Sequence, residues 1–196
     1  YAYFGNVGVF AFDMNGALVW DQRFEPEDTR LGWGPAASPV LHEDTLFIVN
    51  DNDGQSFVIA LDAATGAERW RRDRDEGTNW STPFVWQHEA RTELVTAGSD
   101  QVRSYDLDGN ELWHFRGLNS ISIPQPFSAN GLLYVTSGYV GDAIRPVFAI
   151  RPGAPGDITL LDGQRSNDAI VWYQDAAGPY HPTPLVYGDY YFTLLD

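Results

Sequence analysis

The stretch Ile59–Asp73, "IALDAATGAERWRRD", decides whether this chain folds into helices or strands. Its four alanines and its charged residues are typical of a helix. Its landmarks, however, recur in two other segments: an aspartate, a glycine three or four residues later, and a tryptophan four residues after that. The three sets are Asp13, Gly16 and Trp20; Asp62, Gly66 and Trp70; and Asp106, Gly109 and Trp113.

The two sister segments favour strands. The runs before their turns, "VGVFAFD" and "QVRSYD", contain β-branched and aromatic residues with strand-like alternation. The turns "MNG", "AATG" and "LDG" combine residues that bond their own backbone with a glycine that accepts positive φ. The opening stretch is therefore predicted to be a β-hairpin, with Ala63–Glu68 in its turn.

A second anchor, a proline that opens an apolar run, recurs out of phase with the first. It occupies Pro39, Pro83, Pro126 and Pro184, at spacings of 44, 43 and 58 residues. Four antiparallel strands at a period of about 40–45 residues are the signature of a β-propeller blade, so the predicted fold is all-β, a segment of a β-propeller. The strands predicted for the second copy are Pro39–His42, Thr45–Asn50, Phe57–Asp62 and Glu68–Arg72.

The chain divides into about three complete blades and two partial ones. The pieces cover residues 1–24, 37–73, 81–116, 124–173 and 182–196. The fourth piece carries an insert rich in Gly, Pro and Asp, residues 151–169, which is predicted to be a loop or a small added hairpin.

The two end pieces are incomplete, because the first lacks its opening strand and the last stops after two strands. We therefore expect the remaining blades of a larger ring to be partners of this segment, and its open ends to associate. The alternative is a closed four-blade ring in which Pro184–Tyr187 supplies the missing strand of the first piece.

The recurrent tryptophans are predicted to join neighbouring blades, since one unit of this size cannot bury its own apolar faces. Trp172 continues the series in the fourth piece. Trp86 has no counterpart in the other copies, so we expect its removal to destabilise the fold less than removal of Trp70 or Trp113.

Composition excludes several classes of function. Among 196 residues there are 12 basic and 27 acidic side chains, a net charge of −15, which disfavours nucleic acid and anionic membrane surfaces as partners. No apolar run approaches the roughly 20 residues of a membrane span, so no membrane insertion is expected. Cysteine is absent, which excludes disulfides and thiolate metal sites.

The repeat resembles a known family. "ALDAATGAERW", with the preceding "SPVLHEDTLFIVNDNDG", is similar to the pyrroloquinoline-quinone-like propeller repeat, and "GLLYVTSGYVGDAIRPVFAIRPG" resembles a bacterial subgroup of it. The family includes quinoprotein dehydrogenases and the propeller lipoprotein of the outer-membrane β-barrel assembly machinery, which binds no quinone. The resemblance implies a periplasmic or secreted location.

Two functions follow from this resemblance. A dehydrogenase of the family holds its quinone on the central axis beside calcium, with acidic and amide ligands and in many cases adjacent cysteines. Here cysteine is absent, and "VNDNDG" places Val49 and Ala60 where a calcium loop needs oxygen ligands. We therefore predict a non-enzymatic binding or scaffolding module with no catalytic residue, metal or cofactor. The alternative is part of a dehydrogenase that uses the quinone with Ca²⁺.

One face of the predicted propeller is the candidate ligand surface. Loops that join successive blades share this face with loops between the second and third strands of each blade. Aromatic side chains beside Arg and Asn on such loops suit a protein, a peptide or a small polar ligand. The alternative for Trp33 and Trp80 is that they fill the spaces between blades. The predicted ligand-binding residues are Arg30, Trp33, Asp51, Asp53, Asn79, Trp80, Tyr139, Asp142, Arg145, Tyr180 and His181.

Overall fold

The computed structural model describes residues 1–195, and these form a series of β-sheets. Asp196, the last residue of the predicted fifth piece, lies outside the described residues. Within 1–195 no helix is long and apolar enough to cross a membrane. The all-β prediction is confirmed.

The sheets follow one another along the chain as five blades. Blade 1 contains β1 (Ala2–Tyr3), β2 (Gly8–Phe12) and β3 (Leu18–Arg23). Blade 2 contains β4 (Val40–His42), β5 (Thr45–Asn50), β6 (Ser56–Asp62) and β7 (Glu68–Arg74). Blade 3 contains β8 (Phe84–Gln87), β9 (Thr92–Ala97), β10 (Gln101–Tyr105) and β11 (Glu111–Arg116). Blade 4 contains β12 (Phe127–Ala129), β13 (Leu132–Thr136), β14 (Val147–Ile150) and, after the insert strand β15 (Gly156–Asp157), β16 (Ile170–Gln174). Blade 5 contains β17 (Leu185–Tyr187) and β18 (Tyr190–Phe192).

The opening stretch forms the predicted hairpin. Strands β6 and β7 pair in antiparallel fashion, and residues 63–67 connect them without helix; Glu68, predicted to belong to the turn, is the first residue of β7. The Asp62 carboxylate accepts hydrogen bonds from the Thr65 N–H and hydroxyl, both at 2.9 Å, and Gly66 has a φ of 74°. The Arg69 guanidinium, followed by the Thr65 hydroxyl, lowers the pKa of Asp62 to about 2.

The two partial blades form separate sheets in the structure. Blade 1 has the strand order β1-β2-β3, and β17 pairs with β18 in a separate two-stranded sheet. Within the described residues, Leu185–Tyr187 therefore does not complete blade 1.

The insert is a loop, not a hairpin. Its two-residue strand β15 adds in parallel to the outer edge of β11, in the neighbouring blade, with Gly156 opposite Trp113. The Ile158 N–H donates to the His114 carbonyl at 2.9 Å, and the Ile158 side chain is buried with the core between blades 3 and 4. The insert thus covers an edge that would otherwise be open for association.

Most of the hydrophobic core lies between blades. One cluster joins Val9 of blade 1 to Leu46 and Ile59 of blade 2, and further clusters join blade 2 to blade 3 and blade 3 to blade 4. Each blade therefore buries its apolar faces against its neighbours, as expected of a repeat architecture.

Two of the recurrent tryptophans join blades by the same contact. The indole N–H of Trp20 donates to the Ala63 carbonyl at 3.0 Å, and its ring lies over Gly66. The indole N–H of Trp70 donates to the Leu107 carbonyl at 2.7 Å, and its ring lies over Gly109. We call this contact the tryptophan dock. It confirms the prediction for Trp20 and Trp70.

The other tryptophans depart from this pattern. Trp113 is fully buried between blades 3 and 4, but its indole N–H donates to Glu93 of its own blade at 2.6 Å. Trp172 packs edge-on against Tyr191 of blade 5 at 6.1 Å. Trp86 is 2% exposed and belongs to the same cluster as Trp113, so its burial gives no reason to expect a smaller contribution than that of Trp113.

The recurrent prolines mark a second set of contacts, between the segments that directly precede the first strands of successive blades. The Ser38 N–H donates to the Thr82 hydroxyl at 3.0 Å, and the Gln125 N–H donates to the Thr183 hydroxyl at 3.1 Å. The Gln125 side-chain amide donates to the Pro83 carbonyl at 2.9 Å. Residues beside the prolines thus connect blades 2, 3, 4 and 5.

The turn glycines provide a test of the tryptophan dock. An added Cβ would lie 2.6 Å from the Trp20 ring at Gly66 and 2.7 Å from the Trp70 ring at Gly109, while at Gly16 no heavy atom lies within 4 Å. All three glycines have positive φ, which costs an alanine about 1 kcal/mol. Overpacking adds about 1–3 kcal/mol at Gly66 and Gly109. In urea unfolding we expect Gly66→Ala and Gly109→Ala to lose more free energy than the matched control Gly16→Ala. Equal losses would contradict the dock.

Tryptophan replacements provide a second prediction. Trp86→Ala and Trp113→Ala remove fully buried rings, so each is expected to lower the free energy of unfolding by about 3–5 kcal/mol. Trp70→Ala removes a partly exposed ring and is expected to cost less. Thermal and urea unfolding of the three variants measure the order, which is overturned if Trp70→Ala is the most damaging.

Candidate functional site

The candidate face is organised by a loop between blades 1 and 2. Thr29 accepts a hydrogen bond from the Gly34 N–H at 2.8 Å, which closes a tight turn around the 3-10 segment Arg30–Gly32. The Arg30 N–H donates to the Thr78 hydroxyl at 2.8 Å, and Thr78 belongs to the loop between blades 2 and 3. This hydrogen bond joins the loop between blades 1 and 2 to the loop between blades 2 and 3.

Two predicted ligand residues, Asp53 and Asp142, hold loops together. Asp53 accepts hydrogen bonds from the Thr78 hydroxyl at 2.6 Å and N–H at 3.0 Å. The Thr78 hydroxyl is the main cause that lowers the pKa of Asp53, and the Thr78 N–H follows. Asp142 accepts hydrogen bonds from the Ser120 N–H at 2.7 Å and from its hydroxyl. Both carboxylates thus bind a Thr or Ser of an adjacent inter-blade loop.

Asp51 and Asn79 lie beneath the face rather than on it. Both oxygens of Asp51 are held by Arg74, at 2.8 and 3.1 Å, and both side chains of this ion pair are buried. Asn79 donates to the Ala97 carbonyl at 2.6 Å and accepts from the Ser122 N–H at 3.2 Å, again buried. The structure gives both residues the role of joining strands and loops.

Arg145 contributes through its backbone. Its N–H donates to the Asp175 carbonyl at 2.7 Å, and its carbonyl accepts from the N–H groups of Ala177 and Gly178. These bonds fasten the loop that precedes β14 to the segment that follows β16.

The remaining predicted residues meet as two aromatic groups. The Arg30 guanidinium lies 5.6 Å from the centroid of the Tyr139 ring, Tyr139 lies 5.3 Å from Tyr180, and Tyr180 lies 3.9 Å from His181. We call these four residues the aromatic row. It runs from the loop between blades 1 and 2 to the loops of blade 4 and beyond, so it spans blades that are not neighbours in the chain.

The second group is the pair Trp33 and Trp80. Their ring centroids are 5.7 Å apart, and the Trp80 indole N–H donates to the Gly34 carbonyl at 2.8 Å. Trp80 is partly buried between loops, as the alternative interpretation requires, whereas Trp33 is 60% exposed. Trp80 therefore acts as the support and Trp33 as the exposed surface.

Sequence reasoning missed the residues that hold these loops. Thr78, Ser120 and Ser122 accept or donate the bonds described above, and Ser137 accepts from the Asn119 N–H at 2.8 Å. The available signal was the recurrence of Ser or Thr in each inter-blade loop, such as "TNWST" and "NSISI". Short hydroxyl side chains of this kind satisfy loop backbone groups.

The carboxylates of the candidate face already have partners within the protein. Among residues 1–195 no group of three His, Asp or Glu side chains is arranged to hold a metal ion. The carboxylates of the candidate face are occupied by Thr78, Ser120 and Arg74.

Comparison with known proteins places the fold. Residues 5–152 match the family model described as outer membrane protein assembly factor BamB. BamB from Moraxella catarrhalis is similar in structure over 92% of this chain and 50% of its own, with a TM-score of 0.54 and 15% identity. No curated protein matches the chain at the level of sequence.

Two enzymes share the fold. Quinohemoprotein alcohol dehydrogenase ADHIIG from Pseudomonas putida HK5 is similar over 88% of this chain and 32% of its own, with a TM-score of 0.57 and 16% identity. A europium-containing methanol dehydrogenase is similar over 74% of this chain and 25% of its own, with a TM-score of 0.52 and 16% identity. The chain thus spans half or less of the length of these structures.

The two neighbouring carboxylates give contrasting predictions. Asp51→Asn removes the charge that pairs with buried Arg74, so we expect a loss of about 3–5 kcal/mol in the free energy of unfolding. Asp53→Asn, the matched control, weakens an exposed loop contact and is expected to cost about 1 kcal/mol or less. Urea unfolding of both variants measures the difference. Similar losses would show that the Asp51–Arg74 pair is not the stronger constraint.

Proposed function

Because this chain belongs to the BamB family of pyrroloquinoline-quinone-like propellers, we propose that it is a non-enzymatic scaffold that binds another protein of an outer-membrane assembly. The contact surface in this proposal is the aromatic row together with Trp33. The proposed location is outside the cytoplasm, at the outer membrane, in keeping with the name of the family.

The observation that carries the proposal is the aromatic row itself. Arg30, Tyr139, Tyr180 and His181 contact one another on loops whose backbones are fixed by hydrogen bonds. Rigid aromatic and arginine side chains are the residues that contribute most to protein interfaces, because they bring a large contact area at a small cost in conformational entropy. Trp33 extends this surface with a ring already supported by Trp80.

The end faces of the segment are a second interaction surface, for further propeller blades. Phe4, Phe12 and Val19 of blade 1 and Tyr187 and Tyr190 of blade 5 are large apolar or aromatic side chains that are exposed. In a propeller such faces are covered by the next blade. Covering both ends with further blades of the same type is therefore part of the proposal.

The alternative function is part of a quinone-dependent dehydrogenase, in line with the likeness of fold to two such enzymes. Isothermal titration of the protein with pyrroloquinoline quinone and Ca²⁺ separates the two functions. The scaffold proposal predicts no saturable binding, and stoichiometric binding would overturn it in favour of the enzyme.

Site-specific crosslinking tests the proposed surface. A photo-crosslinking residue at Trp33 or Tyr139 is expected to give a discrete protein adduct in the cells that produce the chain. The same residue at Met14, which is fully exposed on a turn of blade 1, is the control and should give none. Arg30→Glu is expected to lower the adduct yield from position 33 about tenfold, a size typical of a charged contact in an interface, and to lower the free energy of unfolding by only about 1 kcal/mol, the contribution of its cation–π contact with Tyr139. Equal yields at all positions, or no effect of Arg30→Glu, would contradict the proposal.

A further inference from the structure

A cavity of about 710 Å³ opens between blades 3 and 4, and its lining residues belong to none of the loops of the candidate face. One wall is the β8–β9 hairpin with His88 and Glu89, and the other is the β12–β13 turn together with Arg151 and Pro152. This volume lies in the range of small-molecule sites, which is roughly 300–1,000 Å³.

The walls of the cavity are held in place by a buried carboxylate. Glu93 is fully buried and accepts hydrogen bonds from His88 Nε2 and Arg91 Nε, both at 2.8 Å. The other ring nitrogen of His88 accepts from the Ala90 N–H at 3.2 Å, which fixes the hairpin that carries Glu89. Arg91 also donates to the Ala154 carbonyl at 2.7 Å, three residues beyond Arg151. The two walls are therefore fixed to each other, and the cavity is preorganised.

The lining combines one cation, one anion and an apolar surface. Neither Arg151 nor Glu89 forms an ion pair within residues 1–195, and the Arg151 guanidinium has one long bond, 3.3 Å, to the Asp168 carbonyl. The lining also includes the apolar side chains of Leu132, Pro152 and the buried Trp86. In the cavity between blades 2 and 3, by contrast, Arg74 and Arg103 are already paired with Asp51 and Glu76.

We propose that this cavity binds a free α-amino acid with an apolar side chain. Arg151 binds the carboxylate in bidentate fashion, Glu89 binds the ammonium group, and the apolar lining contacts the side chain. A ligand with both charges fits this pair better than a simple anion or cation. An anion bound to Arg151 would leave Glu89 without an opposite charge, and a cation bound to Glu89 would leave Arg151 without one.

Calorimetric titration with L-leucine and two matched analogues tests the proposal. 4-Methylpentanoate keeps the side chain and the carboxylate but lacks the ammonium group, and 3-methylbutylamine lacks the carboxylate. Leucine is expected to bind about three- to tenfold more tightly than either analogue, which is the effect of one partly exposed charged contact. Binding is also expected to move the NMR signal of the Trp86 indole N–H.

Variants assign the two charges. Arg151→Gln is expected to weaken leucine about three- to tenfold and to leave 3-methylbutylamine unchanged, while Glu89→Gln should weaken leucine and leave 4-methylpentanoate unchanged. Glu43→Gln, in the equivalent turn of blade 2 and outside the cavity, is the control and should bind leucine as the original chain does. The proposal is overturned if leucine gives neither heat nor NMR shifts up to about 50 mM, if the three compounds bind equally, or if Glu43→Gln has the same effect as Glu89→Gln.

Discussion

Each blade depends on the next blade for its core. The indole of Trp20 donates to a carbonyl 43 residues further along, and the Ser38 N–H donates to a hydroxyl 44 residues further along. The separation between atoms that touch across a blade boundary is thus close to the period of the sequence, although the dock of Trp70 on Leu107 spans 37 residues. Two contacts, the tryptophan dock and the bonds beside the prolines, fix the distance and angle between successive sheets. The apolar clusters fill the space between them.

The boundary between blades 3 and 4 shows what happens when the dock is replaced. Glu93 stands where blade 2 has Thr45, and it accepts the hydrogen bond of the Trp113 indole N–H within blade 3. The turn that would receive that indole in blade 4 is expanded into the insert, whose Ile158 and Ala154 complete the apolar cluster instead. At this boundary, the buried Glu93 in blade 3 and the insert of blade 4 replace the tryptophan dock.

The sequence was sufficient for the features that repeat. Asp62, Gly66 and Trp70 could be assigned to a hairpin and a blade boundary, because two sister copies showed which of their properties recur. Trp86 and Glu93 occur once, and a comparison of copies cannot tell against which residues a unique side chain is buried. Asp51 was placed on the ligand face because it lies in the loop between the second and third strands of blade 2. Its partner Arg74 lies 23 residues away in another strand, at a spacing that follows no local rule. The aromatic row was predicted as a set of loop residues, but its order of contacts depends on loop conformations that Thr78 and Ser120 fix.

The contact between Arg30 and Tyr139 also has a mechanical consequence. It joins the loop after blade 1 to a loop of blade 4, so it acts as a chord across the arc formed by blades 2 and 3. This contact opposes the separation of blades 2 and 3, because moving them apart would increase the distance between Arg30 and Tyr139. A molecule seated on the chord would add its own stiffness to the brace, and a molecule that displaced Arg30 would release it. Load applied at one end of the segment would then reach the other end by two routes, through the stacked sheets and directly across the face.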